Sequence, residues 1–189
     1  MFFGQQSGQR RGRRNAVIKG EDFETETTLS LDEAFHGTTR LIQLKGQTIK
    51  VTIKPGVTDL QMLRIAGKGG VGVNGGPNGD LYLTIKIAPH QEFQRIGNDL
   101  HRKLYVELYT ALLGGKTHVK TLSDNITVNI PKGTQNGKEL RLRGLGMPVY
   151  AKKNEFGKLF VKIEIVLPEK LNEEEIDLFR KLAELRGAK

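Results

Sequence analysis

The chain has 189 residues, 37% of them apolar and 27% charged, with 23 Gly, 6 Pro and no Cys or Trp. That length can bury one large core or two small ones, and the missing cysteines exclude a disulfide scaffold, a cysteine-ligated zinc site and a thiol nucleophile. The formal charge of +9 is uneven: residues 1–20 hold Arg10, Arg11, Arg13, Arg14 and Lys19 without an acid, whereas the remainder carries 25 basic and 21 acidic side chains.

Taken in order, residues 1–20 lack apolar periodicity and read as a disordered basic leader or linker remnant. Met1 directly before Phe-Phe-Gly gives the expectation that the chain was cut from something longer. From Asp22 the pattern changes to short alternating runs. Leu41–Lys54 reads as a strand, a tight turn at Lys45-Gly46 and a second strand with Ile49, Val51 and Ile53 on one face. Asp80–Ala88 and Lys158–Leu167 alternate in the same way. Ahead of the first of these, after the Leu41–Lys54 hairpin, lies the Gly-rich stretch Ala66–Asp80, expected as a mobile hairpin loop. Its Lys68-Gly-Gly-Val-Gly start resembles a phosphate loop, but Val73 and Asn74 stand where Lys and Ser or Thr are needed. The tail is helical: Asn172 and Glu175 form a capping box, and Ile176, Phe179, Leu182 and Ala183 recur at helical spacing.

A duplication organises these elements. Shifted by 77, residues 49–69 fall on 126–146 with eight of 21 positions identical, among them Ile49 on Ile126, Gly56 on Gly133 and Arg64 on Arg141. Leu31, Ala34 and Gly37 fall on Leu108, Ala111 and Gly114, and with one more residue Gly79 falls on Gly157. A period this long means two copies of a domain. The expected fold is therefore mostly β: two tandem homologous β-sandwich or barrel-like domains with short helices, plus a C-terminal helix. Its domains are residues 21–98 and 99–168, with the helix in 169–189.

No run is long enough to cross a bilayer, so no membrane partner is expected. Four scattered histidines, none at metal-ligand spacing beside a carboxylate, and Ser30 and Ser123 outside any nucleophile elbow give no catalytic residue, no metal and no cofactor.

The ordered segments DFETETTLSLDEAFHGTTRLIQL, VTIKPGVTDLQMLRIAGKGG, NGDLYLTIKIAPHQEFQRIGNDL, YVELYTALLGGKTHVKTL, VNIPKGTQNGKELRLRGLGMP and GKLFVKIEIVLPEKL resemble the C-terminal region of DnaJ-type (40-kDa heat-shock) co-chaperones. The family's J domain and its Cys-x-x-Cys zinc region do not occur in these residues, so the sequence looks like the zinc-free, class B, CbpA-like branch. The resemblance implies a non-enzymatic cytoplasmic stress-response co-chaperone that binds unfolded polypeptide and passes it to a DnaK-type chaperone. Carried over, the client groove on the first β domain is Ile42, Leu44 and Phe93, with Thr25 and Thr27 on the facing strand. Those threonines replace the family's usual bulky aliphatics. Arg40 and Lys45 would receive the partner's acidic tail, and Ile176, Phe179 and Leu182 would join two chains as a homodimer. A basic protein with weak DNA binding, and a plain β scaffold without a groove, are the alternatives.

Overall fold

The computed structural model describes residues 16–187. Most of the basic leader, residues 1–15, therefore lies outside the described residues. In chain order the elements are β1 (Phe23–Leu29), α1 (Leu31–His36), β2 (Thr38–Leu44), β3 (Gln47–Ile53), β4 (Met62–Ile65), β5 (Leu81–Ile87) and β6 (Gln94–Ile96). They continue with β7 (Asp99–Glu107), α2 (Leu108–Leu113), β8 (Gly115–Lys120), β9 (Asn125–Ile130), β10 (Glu139–Pro148), β11 (Phe156–Val166) and α3 (Glu173–Leu185). The fold is mostly β with open sheets and no closed barrel among the described residues.

Two compact units result, and they interleave in sequence. The first takes the described residues up to Leu29, Thr38–Ile53 and Thr58–Ala88; the second takes Ser30–Gly37, Lys54–Val57 and the chain from Pro89. In the first unit a three-stranded sheet has the order β1-β5-β4, with β1 parallel to β5, and β2 and β3 form a separate hairpin. The second unit has a sheet of order β10-β11-β7-β6, the hairpin β8-β9 and all three helices.

Local chemistry explains the elements. The β2–β3 turn takes Lys45 and Gly46 at φ +42° and +83°, the left-handed pair of a two-residue type I′ hairpin. Ser30 caps α1, its hydroxyl accepting from Glu33 N at 3.1 Å while the Glu33 carboxylate accepts from Ser30 N. Asn172 and Glu175 do the same for α3.

The duplication extends to pairing register. Phe23 faces Leu81 across β1 and β5, and Leu100 faces Leu159 across β7 and β11. Thr38 pairs with Ile53 as Gly115 does with Ile130, and Met62 with Thr84 as Glu139 does with Lys162. Side chains repeat as well: Asp59 Oδ1 accepts from Ile87 N at 2.8 Å, and Asn136 Oδ1 from Ile165 N at 2.9 Å. Each copy buries one strand face, with Ile49, Val51, Ile53, Leu81, Leu83 and Ile85 in the first and Leu100, Leu104, Leu159, Val161 and Ile163 in the second. The exposed positions between them are polar, which is the period-two pattern that a half-covered sheet demands.

Residues 16–20 differ from the structureless leader expected. Ile18 forms a β-bridge with Val73, and Gly20 N donates to Pro77 O at 2.9 Å. The Gly-rich stretch is a built loop that clamps this segment. A Cβ on Gly79 would sit 2.0 Å from Glu21 O, and one on Gly76 2.0 Å from Ile18 O, so glycine is what permits the backbones to lie so close.

Candidate functional site

Within the first unit, β1 and β2 are both edge strands, each paired on one side only among the described residues. An unpaired edge presents free N–H and C=O groups, and such edges invite another strand. Along β1 the side chains of Phe23, Thr25 and Thr27 are half-buried and alternate with exposed Glu24, Glu26 and Thr28. Along β2, Arg40, Ile42 and Leu44 are half-buried, whereas Leu41 on the other face is 67% exposed.

Register fixes the direction of these side chains. Ile42 stands opposite Ile49, and Arg40 opposite Val51. Directly opposed residues of an antiparallel pair share a face. Ile42 and Leu44 therefore lie on the inner face of the hairpin, towards its tip, where cover runs out and Gln47 replaces the buried aliphatics as Leu44's partner. The tip in turn reaches the start of β1. Lys45 Nζ stands 4.3 Å from the centre of the Phe23 ring and 3.3 Å from Glu21 Oε2. Phe23 is an aromatic at this apolar margin that sequence reasoning missed. Its only signal was its place two residues before Thr25, on the same strand face.

Behind the site, Asp80 holds the Gly-rich loop to its sheet. It accepts from Gly67 N at 2.9 Å and from Arg64 Nε at 3.0 Å, and Lys19 Nζ is 3.6 Å away. The Gly67 hydrogen bond, then Arg64, holds its carboxyl below the usual range against the opposing effect of burial. Asp22 is lowered too, first by the 2.6 Å bond from Asp80 N and then by Lys19.

Phe93 belongs to the second unit and is 4% exposed. Its ring lies 5.3 Å from His90 and 5.0 Å from the Arg102 guanidinium, while His90 Nδ1 accepts from the backbone N–H groups of Glu92 and Phe93. Thr25, Thr27, Arg40, Ile42, Leu44 and Lys45 share the first unit. On α3, Ile176 and Phe179 are half-buried and Leu182 is 56% exposed, with Phe179 stacked on Tyr109 at 6.4 Å. No residue of that helix is fully buried. The outer face of the β10-β11-β7-β6 sheet carries Lys103, Arg141, Arg143, Lys158 and Lys162 beside Glu139 and Glu164, with Phe160 stacked on His101 at 4.7 Å.

Among the described residues no group of His, Cys, Asp and Glu could hold a metal ion, and no helix is long and apolar enough to cross a membrane. The site offers strand edges, an apolar margin and flanking cations. Such an arrangement can hold an extended polypeptide.

Compared with known proteins, residues 23–168 match the family model described as the DnaJ C terminal domain. The chain is 40% identical over 173 residues to "Chaperone protein DnaJ 2" of Thermus thermophilus, covering 92% of this chain and 59% of that protein. It is 37% identical over 180 residues to "Curved DNA-binding protein" of Coxiella burnetii, covering 88% and 56%. With "Chaperone protein DnaJ" of Bartonella quintana it shares 41% over 142 residues, 75% of this chain and 37% of that one. The chain thus spans little more than half the length of the first two.

Proposed function

Since the chain belongs to the DnaJ C-terminal domain family, we propose that it is the client-holding part of a co-chaperone, with its groove on the first unit. The carrying observation is the contrast within one hairpin. Ile49, Val51 and Ile53 are buried, whereas Ile42 and Leu44 on the same face are half-open beside an unpaired edge. An extended segment adds to such an edge through main-chain hydrogen bonds that do not read sequence, and one or two of its apolar side chains enter the margin. Each buried side chain contributes about 1.5–3 kcal/mol, so holding is weak and reversible. Thr25 and Thr27 make the groove shallow, and Phe23 supplies apolar area in their place.

In this reading the cations at the groove, Arg40 and Lys45, receive an acidic tail of a DnaK-type partner that takes the client onward. The Lys45–Glu21 pair is exposed on both sides, 66% and 78%, and exchange of one carboxylate for another there costs little. Two chains join through the half-open stripe of α3, which gives a cytoplasmic clamp with two grooves. Phe93, packed under His90 and Arg102 in its own unit, supports the fold around it. The deciding experiment is a titration with an unfolded peptide at low and high salt with duplex DNA as competitor. Binding that survives high salt and ignores DNA supports client holding; binding that collapses with salt overturns it.

A second reading has an observation of its own. The outer sheet face of the second unit carries five cations against Glu139 and Glu164 and, at the two ends of β7, Asp99 and Glu107, with Arg141, Arg143 and Lys158 as its most basic part, and one relative is named for DNA binding. Duplex DNA bound there would contact phosphates rather than bases.

A further inference from the structure

The two repeats keep the same hydrogen bonds up to one position and then part. Glu21 O accepts from Gly70 N at 2.7 Å, and its counterpart Asn98 O accepts from Met147 N at 2.8 Å. Asp22 Oδ1 accepts from Asp80 N, and Asp99 Oδ1 from Lys158 N, both at 2.6 Å. The residues just before are again equivalent, Gly20 and Gly97, but the chain leaves them in different directions. Gly97, at φ +61°, reverses the chain, and β6 lies antiparallel on β7 with Gln94, Arg95 and Ile96 against His101, Leu100 and Asp99. Gly20 takes no such turn. It sends Ala16–Lys19 to the Gly-rich loop, where Ile18 pairs with Val73 and Asn74 Nδ2 donates to Ala16 O at 3.0 Å. Among the described residues nothing pairs with the edge of β1 that corresponds to the β6-covered edge of β7.

We propose that Ala16–Lys19 is a movable strap that alternates between the Gly-rich loop and that edge of β1, where it closes the client groove as a hairpin strand. The proposal rests on the groove reading given above. Transfer of the β6–β7 register by 77 residues places Lys19 against Asp22, Ile18 against Phe23 and Val17 against Glu24. Ile18 then lies on the Phe23 face, at the groove, as an internal stand-in for a client side chain. Gly20 can adopt the positive φ of Gly97 because it has no Cβ. The exchange is close to balanced. On the loop the strap is held by the two Ile18–Val73 bonds, those of Gly20 and Asn74, and the Lys19 pairs with Asp22 and Asp80. A short antiparallel ladder replaces the backbone bonds and keeps Lys19 opposite Asp22, so that the longer 3.6 Å contact to Asp80 is what is given up. Val17 and Ile18 are 66% and 55% exposed there, so little apolar contact is lost on leaving. Two nearly equal arrangements of one segment are what a switch requires.

The chain has no cysteine, so paired cysteines can lock either state. Facing residues of an antiparallel pair lie within disulfide reach. The variant V17C/E24C, whose sulfurs stand away from the groove face, locks the strap on β1; I18C/V73C locks it on the loop. The probe is a fluorescent unfolded peptide rich in Leu and Phe. Oxidised V17C/E24C is expected to bind it roughly tenfold more weakly or worse, with recovery on reduction, while oxidised I18C/V73C binds at least as well as the wild type. Failure of V17C/E24C to cross-link under conditions that close I18C/V73C overturns the strap, as does cross-linking without loss of binding. Absence of peptide binding by the wild-type chain overturns the groove reading instead, and with it the role of the strap.

Discussion

Ile42 and Ile49 stand opposite each other on one hairpin and differ in what covers them, since Ile49 is 6% exposed and Ile42 is half-open. Truncating Ile49 to Ala leaves a cavity and should lower stability by about 2–5 kcal/mol in a urea titration. Ile42→Ser or Leu44→Ser should instead weaken peptide binding about tenfold or more, the equivalent of one lost apolar contact, with the melting temperature nearly unchanged. Variants that melt early and bind normally once folded would make both residues core. A second residue-scale expectation concerns acid. Asp22 and Asp80 have folded pKa values below that of a free aspartate carboxyl. Their contribution is thus complete above that value and lost as pH falls through the lower folded ones. Asp80→Asn should lower the urea midpoint at neutral pH and flatten its fall in acid; an unchanged acid limb would show that Asp80 is not its source.

At the scale of elements, alternation and turn chemistry carried much of the fold. Lys45-Gly46 announced its hairpin because a two-residue turn needs left-handed residues, and the Asn172–Glu175 box announced α3. The parallel pairing of β1 with β5 was not legible, because a half-buried strand alternates identically whichever way its neighbour runs. Nor was the clamp on residues 16–20, which depends on backbone approach at Gly76 and Gly79 rather than on any side chain. Phe23 escaped notice for a related reason: the contact from Lys45, set by tertiary structure, is what puts it beside the proposed groove. Helix α3 carries the next prediction. Thirteen residues with no fully buried side chain make a marginal helix unless another surface covers Phe179 and Leu182. Light scattering should find a dimer for the full chain and a monomer for one ending at Pro168, and a persisting dimer would place the interface elsewhere.

On the scale of the whole molecule, charge and repeat act separately. If the outer face of the second unit binds duplex DNA, each cation that neutralises a phosphate adds about −0.9 to the slope of log K against log salt. The double variant R141A/K158A should then make that slope less steep by up to about 2 without affecting peptide binding; an unaltered slope would remove this face from consideration. The repeat has a different kind of consequence, in the order of events during synthesis. Phe23 must find Leu81, 58 residues later (23 to 81), and Leu100 must find Leu159, 59 residues later (100 to 159). At about 5–20 residues per second a ribosome needs roughly 3–12 s to deliver the second partner after the first. Through that interval the leading strand of each nascent repeat has its apolar face uncovered and lacks its parallel partner, β1 with β5 still to come and β7 with β6 alone beside it, and pairing so distant in sequence is slow to form even once both strands are present. While it is being made, the protein therefore passes through the extended, half-apolar condition that the proposed groove would hold, and on that reading copies already folded would receive it.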